Sequence, residues 1–458
     1  MPDRARPATV VLASLAFLMV TLDSLVVVTA LPSIHTSLGG GTGGLQWIVN
    51  AYNLTFAVGI VTGAALGDRF GRRRLFMIGL ASFVLASAAC ALAPTLGWLI
   101  AFRALQGLGG AILAPVGLAL ITEAFPPSRR GAAIGLWGGI AGLGVAAGPL
   151  VGGAVTQGLD WHWIFWVNVP VGLIALVGCA ATLRESRGVR RPLDLPGMVL
   201  VALGLAALVD AVVEAPARGW SAPRTLALLV VGAVALAGFV AWERYATAPM
   251  IPLRLLRVRA FAAANVANMF SSAATFSAAY VMSQYFQLGR GDSPLGTGLR
   301  FLPWTARPLI VAPLAGVWCD RIGARRLAVP GLVMQAAGFA AIVALAGTAQ
   351  PWVAYVGPFV VAGIGVSLAL PTLPTAALSV VAPAEIGVAA GVVNTVQRIG
   401  PVIGIAVISA VFGAHGSLTS ASEVTSGFRW ALGTSALLSL TGAAVASILG
   451  RRRTTVEG

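Results

Sequence analysis

The sequence predicts an all-α polytopic membrane protein of 14 transmembrane helices, and three observations carry that expectation. The chain is 58% hydrophobic and 10% charged over 458 residues, with a mean hydropathy of +0.89, whereas a soluble domain carries about 25% charged residues. Apolar runs long enough to cross about 30 Å of hydrocarbon recur from end to end. Arginines fall in alternate loops between those runs. Little length is left for a sizeable soluble domain, which excludes most enzyme folds.

The runs are bounded by charge, Pro or Gly. Six lie at 8–31, 45–66, 75–93, 97–121, 131–156 and 163–183. The stretch between Arg184 and Arg259 holds two more, at 195–213 and 225–242, too apolar to be left in water. Six follow at 260–287, 296–318, 327–347, 352–373, 385–413 and 428–449. The expected organisation is an N-terminal six-helix bundle over 1–187, two inserted helices with their linkers over 188–259, and a C-terminal six-helix bundle over 260–458.

The formal charge of +15 would suggest nucleic acid in a soluble protein. All 30 basic residues are Arg, and 22 of them fall in alternate loops or at the termini, as the positive-inside rule requires of cytoplasmic segments. Four (Arg218, Arg224, Arg290, Arg429) fall on the other side, and four (Arg103, Arg300, Arg307, Arg398) fall within runs. The charge is therefore an orientation signal: both termini are expected in the cytoplasm, with the lipid bilayer rather than nucleic acid as partner. The N-terminal run is too long for a signal peptide and reads as a retained first span. Cys90, Cys179 and Cys319 show no metal-ligand or disulfide spacing, and His35, His162 and His415 lie far apart. No metal, cofactor or ATP chemistry is expected, so uphill work would need an ion gradient.

Two loops repeat one pattern. After the second run stands Gly67-Asp68-Arg69-Phe70-Gly71-Arg72-Arg73-Arg74, and after the tenth Gly316-Val317-Trp318-Cys319-Asp320-Arg321-Ile322-Gly323-Ala324-Arg325-Arg326. Gly71 and Gly323 permit a tight reversal, while each Asp sits at a helix end where Arg or backbone donors can pair with it. Such contacts suit a cytoplasmic gate built from Asp68, Arg69, Gly71, Arg72 and Arg73 and from Gly316, Asp320, Arg321 and Gly323. Repetition between halves is what a secondary transporter leaves in sequence. The pattern resembles the loop signature of the major facilitator superfamily, complete in the second copy, with Ala64 at its leading position in the first.

Further motifs resemble the fourteen-span drug:proton antiporters of that superfamily. Gly135, Gly144, Gly148-Pro149 and Gly152-Gly153 match the antiporter signature at every glycine and proline; glycines four apart let a neighbouring backbone approach closely. Arg103 precedes Gln106-Gly107 as in a family motif, and a charge there must face the bundle interior or snorkel. Asp23 resembles the acid of the opening motif, with Leu25 and Val28 where that motif has Thr and Asn. An acid at such depth needs pairing or neutralisation, which makes it the first candidate for proton coupling. The stretch Trp161 to Gly172 resembles a motif opening span 6, matched at Asn168, Pro170 and Gly172 with His162 in place of the common Arg, and Trp161, Trp163 and Trp166 read as an interfacial belt.

Asn265, Asn268, Ser272 and Thr275 share one helix face that Met282 and Phe286 extend, suiting a cavity for amphipathic molecules. Backbone bonding by Ser and Thr is the competing reading. Gln46 and Tyr52 resemble the subgroup, and Arg398, beside Asn394 and Gln397, is placed to meet an acid or an anionic group. Asp210, with Glu214 a turn later, could serve protons or cations. The resemblance implies a monomeric exporter of drugs or metabolites in the inner (plasma) membrane, driven by the proton gradient, with Asp23, Arg103 and Asp210 in coupling. A proton-independent uniporter or symporter of small solutes, or a membrane receptor on the same scaffold, are the alternatives.

Overall fold

A computed structural model describes residues 5–39, 42–188, 193–247, 249, 251, 253–347, 350–381 and 386–449. Among them every regular element is helical. Where no water reaches the backbone, each N–H and C=O must be satisfied within its own segment, and a helix does this. The first helices are α1 (Ala5–Leu38), α2 (Thr42–Phe70), α3 (Arg72–Ala91), α4 (Leu96–Ala124), α5 (Pro127–Gly158), the short α6 (Trp163–Trp166) and α7 (Asn168–Thr182). Next come α8 (Leu195–Arg218), α9 (Pro223–Glu243) and the short α10 (Leu253–Leu256). The last are α11 (Arg259–Gln284), α12 (Pro294–Thr305), α13 (Arg307–Ile322), α14 (Arg325–Leu345), α15 (Val353–Leu378), α16 (Ile386–His415) and α17 (Ala421–Ala446).

Ten helices among the described residues are long and apolar enough to cross a membrane. The other expected runs are also helical, in α5, α11, the α12–α13 pair and α17. α12 and α13, of 12 and 16 residues, are each too short to cross alone. The run expected as one span over 296–318 is divided at Ala306, between Pro303 and Pro308, where missing N–H donors weaken the helical ladder. α11 runs on into a π-helical turn, Tyr285–Gly289.

The pairings of the first set of helices recur in the second. α1 packs on α5, α2 on α4, α3 on α4 and α7; correspondingly α11 packs on α16, α13 on α15, α14 on α15 and α17. Two reciprocal contacts join the sets, α2 with α16 and α12 with α5. α8 lies over the α2–α16 seam, its Val201, Leu205 and Val209 clustering with Leu54 and Val58 of α2 and Val392 and Val393 of α16. Thr62 Oγ1 meets Met198 Sδ at 3.4 Å in the same place. α9 packs on α8 and leaves Val230, Val231 and Val234 exposed, an apolar surface that lipid would cover.

The glycines of α5 act as contact points. A Cβ on Gly148 would lie 2.8 Å from that of Leu25, and one on Gly152 would lie 3.0 Å from the Val26 Cα, so α1 rides on the α5 backbone. Gly153 faces the other way, where a Cβ would lie 3.0 Å from the Leu295 Cα, and a Cβ on Gly298 of α12 would lie 2.9 Å from the Leu150 Cα. Side chains at those two positions would hold the sets apart.

Candidate functional site: a buried ion pair among three helices

Asp23 of α1 and Arg103 of α4 form an ion pair, with the side chains 1% and 0% exposed. A carboxylate can accept about four hydrogen bonds, and three donors serve this one. Arg103 Nη1 donates to Oδ2; Gln106 Nε2 donates to Oδ1 at 2.9 Å, and Asn168 Nδ2 of α7 donates to Oδ1 at 3.2 Å. Arg103 Nη1 also donates to Gln106 Oε1 at 2.6 Å and Nε to the Ile48 carbonyl at 3.2 Å. Its Cζ sits 4.3 Å from the centroid of the Tyr52 ring. Arg103 Nη2 makes no hydrogen bond.

Outer contacts hold these groups in place. Asn168 also donates to Ser87 Oγ at 3.0 Å, and Ser87 donates to the Phe165 carbonyl at 2.9 Å. Tyr52 OH donates to the Val20 carbonyl of α1 at 3.1 Å. The network thus ties α1, α2, α3, α4 and α7 at one point. Removing either member of a buried pair strands the other charge, a cost of about 3–5 kcal/mol. A proton on Asp23 would do the same to Arg103 without any mutation.

The sequence motifs contain Gln106 and Asn168 without marking a role for either, and nothing in the sequence marks Ser87. Gln106 stands one turn from Arg103, so shared helix face could have flagged it. Asn168 is 145 residues from Asp23, and no local pattern connects them.

The Asp68 loop is built within the first set. Gly71 has φ 109° and Gly323 φ 87°, a region costly for other residues, which explains the same Gly in both copies. Arg72 donates to Asp68 Oδ1 from Nη2 at 2.8 Å and to Glu123 Oε2 of α4 from Nη1 at 2.9 Å. The first amides of α3 are capped from a distance: Arg73 N and Arg74 N donate to the Glu185 carboxylate at 3.0 and 3.1 Å. Arg72 N donates to the Ser186 carbonyl at 2.8 Å, and Arg73 Nη2 to that of Ala180 at 2.6 Å. Arg69 and Arg321 are exposed, and a Cβ on Gly316 would meet nothing. The side chain of Asp320 lies outside the described residues, as do the surroundings of Gly135, the linker Arg190 and Arg191, and the extreme termini.

Hydrogen bonds between the sets cluster at the end away from these loops. Ser283 Oγ donates to the Val28 carbonyl at 2.9 Å and Gln287 Nε2 to that of Thr29 at 2.8 Å. Gln157 Oε1 accepts from Leu295 N at 3.1 Å. Thr305 Oγ1 donates to the Ala146 carbonyl at 3.1 Å, further along α5. Towards the loops, by contrast, a Cβ on Gly139 or Gly142 of α5 would have no neighbour. At that end α2 and α16 still hold the sets together, and a Cβ on Gly391 would lie 3.6 Å from Val61 Cγ2.

The other predicted residues scatter. Asp210 lies on α8, 3.4 Å from Arg224 Nη2 of α9, apart from the Asp23 pair; Glu214 pairs with Arg218. Ser272, Thr275 and Asn265 bond carbonyls of their own helix, and Gln335 Nε2 donates to Thr275 Oγ1 at 2.7 Å. Asn265 Oδ1, Asn268 Nδ2 and Gln46 Oε1 make no hydrogen bond despite burial. Met282 is wholly buried, clustered with Phe286 and Phe339. Arg300 pairs with Asp292, and Arg307 Nε donates to the Pro303 carbonyl at 3.2 Å. Trp163 is exposed as a belt residue would be, whereas Trp161 is buried against Phe165. Arg398 lies with its Cζ 4.1 Å from the Phe56 ring centroid, across the α2–α16 seam.

A multi-pass helical scaffold with repeated halves and a charged pair sunk between its helices is the architecture of a membrane transporter. The Major Facilitator Superfamily profile matches residues 13–404 and 260–458, and the chain belongs to that superfamily. It is 35% identical over 421 residues to the tetracenomycin C resistance and export protein of Streptomyces glaucescens, covering 90% of this chain and 77% of that protein. It is 38% identical over 416 residues to the puromycin resistance protein of Streptomyces alboniger, covering 90% and 82%. The multidrug resistance protein Stp of Mycobacterium tuberculosis is 38% identical over 419 residues, covering 91% and 78%. In fold it is similar to a bacterial homologue of the human lysosomal transporter Spinster in an inward-facing, occupied conformation, with TM-score 0.70, 16% identity and 97% of each chain covered.

Proposed function

We propose that this chain is a fourteen-span secondary exporter that moves drugs or other amphipathic small molecules out of the cell in exchange for protons, by alternating access. In this reading residues 1–187 and 260–458 are the two moving bundles, 188–259 the inserted pair, and both termini face the cytoplasm. The exporter works as a monomer in the plasma membrane, with the proton gradient as its only energy source. The relatives' names support the substrate class. The carrying observation is the Asp23–Arg103 pair, a carboxylate with only 1% of its side-chain surface exposed.

Helix α1 links that acid to the seam. Val28, whose carbonyl accepts from Ser283, is five residues from Asp23, about 7.5 Å along the helix axis. Proton uptake discharges Asp23 and deprives Arg103, Gln106 and Asn168 of their charged partner. α1 then shifts on the glycine face of α5, and the carbonyls of Val28 and Thr29 part from Ser283 and Gln287. The seam opens outward and the Arg-rich loop end closes. With Arg-rich loops in the cytoplasm, the end at which Ser283 and Gln287 bond α1 faces outside in this reading.

The test is flux in proteoliposomes holding the full chain, with an imposed pH gradient and a panel of fluorescent drugs. Gradient-dependent efflux is expected, lost in Asp23→Asn. Flux indifferent to the gradient would establish a uniporter, and saturable binding without flux a receptor; either overturns the proposal.

A further inference from the structure

Arg398 is a permanent cation at the thirteenth of the thirty residues of α16, far from either helix end. A charge at such depth requires compensation. Part comes from the face of Phe56, 4.1 Å from Cζ. No described carboxylate supplies the rest: Asp23 is taken by Arg103, Gln106 and Asn168, Asp210 by Arg224, and Asp292 by Arg300.

Arg398 is nevertheless partly accessible, and Asn394, one turn earlier on the same face, is exposed. Contact with Phe56 of the first set places the guanidinium between the two sets rather than towards lipid. Phe56 in turn neighbours Tyr52, their ring centroids 6.1 Å apart, and Tyr52 carries Arg103 on its ring. Two guanidinium groups thus flank one aromatic pair, and only Arg103 has a carboxylate partner among the described residues. The polar centre holds one positive charge in excess.

We propose that Arg398 is the residue that selects anionic cargo: its guanidinium donates to a carboxylate or ionised phenol carried by an amphipathic substrate. The inference rests on the exporter reading, whose cavity it furnishes. An apolar body bearing one anionic oxygen group completes the charge balance, and the planar fork of Arg suits a carboxylate. Cationic drugs of the same shape are disfavoured by the same excess charge.

The test compares carboxyfluorescein, an anionic xanthene, with rhodamine 6G, a cationic one, by fluorescence polarisation on the purified full chain. Carboxyfluorescein should bind more tightly than rhodamine 6G, and Arg398→Gln should weaken it by about tenfold or more. Arg398→Lys, which keeps the charge, should recover part of that loss, and rhodamine 6G should not weaken in either variant. Preference of the unmodified chain for rhodamine 6G, absence of carboxyfluorescein binding, or an Arg398→Gln affinity within about twofold overturns the assignment. Binding with this charge preference but no flux would sustain Arg398 and sink the exporter; proton-driven flux of rhodamine 6G alone would do the reverse.

Discussion

Asp23 and Arg103 stand 80 residues apart in the chain and meet as an ion pair with essentially no exposed surface. Gln106 and Asn168 complete the carboxylate's partners from two different helices. Folding therefore concentrates in the first set a charge balance that one proton can upset.

Stability should report that balance. Arg103→Gln leaves the Asp23 carboxylate without its cation and should cost about 3–5 kcal/mol, while the double substitution Asp23→Asn with Arg103→Gln should recover most of the loss. Thermal unfolding in detergent measures both. Recovery of stability without recovery of gradient-driven flux is the expected outcome; equal stability of single and double variants would show that the pair is not buried as described.

Glu185 caps α3 from another segment. Glu185→Ala should cost about 0.5–2 kcal/mol, the range for a lost helix cap. The midpoint of thermal unfolding should fall accordingly, and Glu185→Asp should not fully restore it, because the carboxylate reaches two amides at once.

The α5 glycines should divide by position. Gly148→Val and Gly152→Val insert methyls where α1 atoms already stand about 3 Å away, so both should abolish efflux while the chain still inserts. Gly142→Val, which meets nothing, should retain it. Equal effects at all three positions would mean that helix propensity, not α1 contact, governs this helix.

The proposed opening of the seam should be arrestable by a cross-link. With Cys90, Cys179 and Cys319 replaced by Ser, a cysteine pair at Gln157 and Leu295 should cross-link α5 to α12 under a bifunctional thiol reagent. Efflux should stop on cross-linking and return when a cleavable linker is cut. Undiminished efflux from the linked protein would mean that this end does not part during transport.

Much of the fold was legible because bilayer crossing is a local demand, met by each segment alone. The apolar runs match the helices closely, except at 296–318, where closely spaced prolines divide α12 from α13, and at 163–183, which breaks at Val167 between α6 and α7. Gly71 and Gly323 were legible because each turn needs positive φ at one residue. Asp23 and Arg103 were legible as costly charges, though not as partners.

By itself the sequence determined a multi-pass helical chain, its repeated Asp-Arg loops and which ionisable residues must seek partners in the apolar interior. Only the tertiary structure decided that Asp23 pairs with Arg103 through Gln106 and Asn168, that Glu185 caps α3, and that Arg398 crosses to Phe56. The reason is range. Crossing hydrocarbon and turning at Gly are settled within a few residues, whereas a buried charge is settled by whichever helices packing brings within about 3 Å of it.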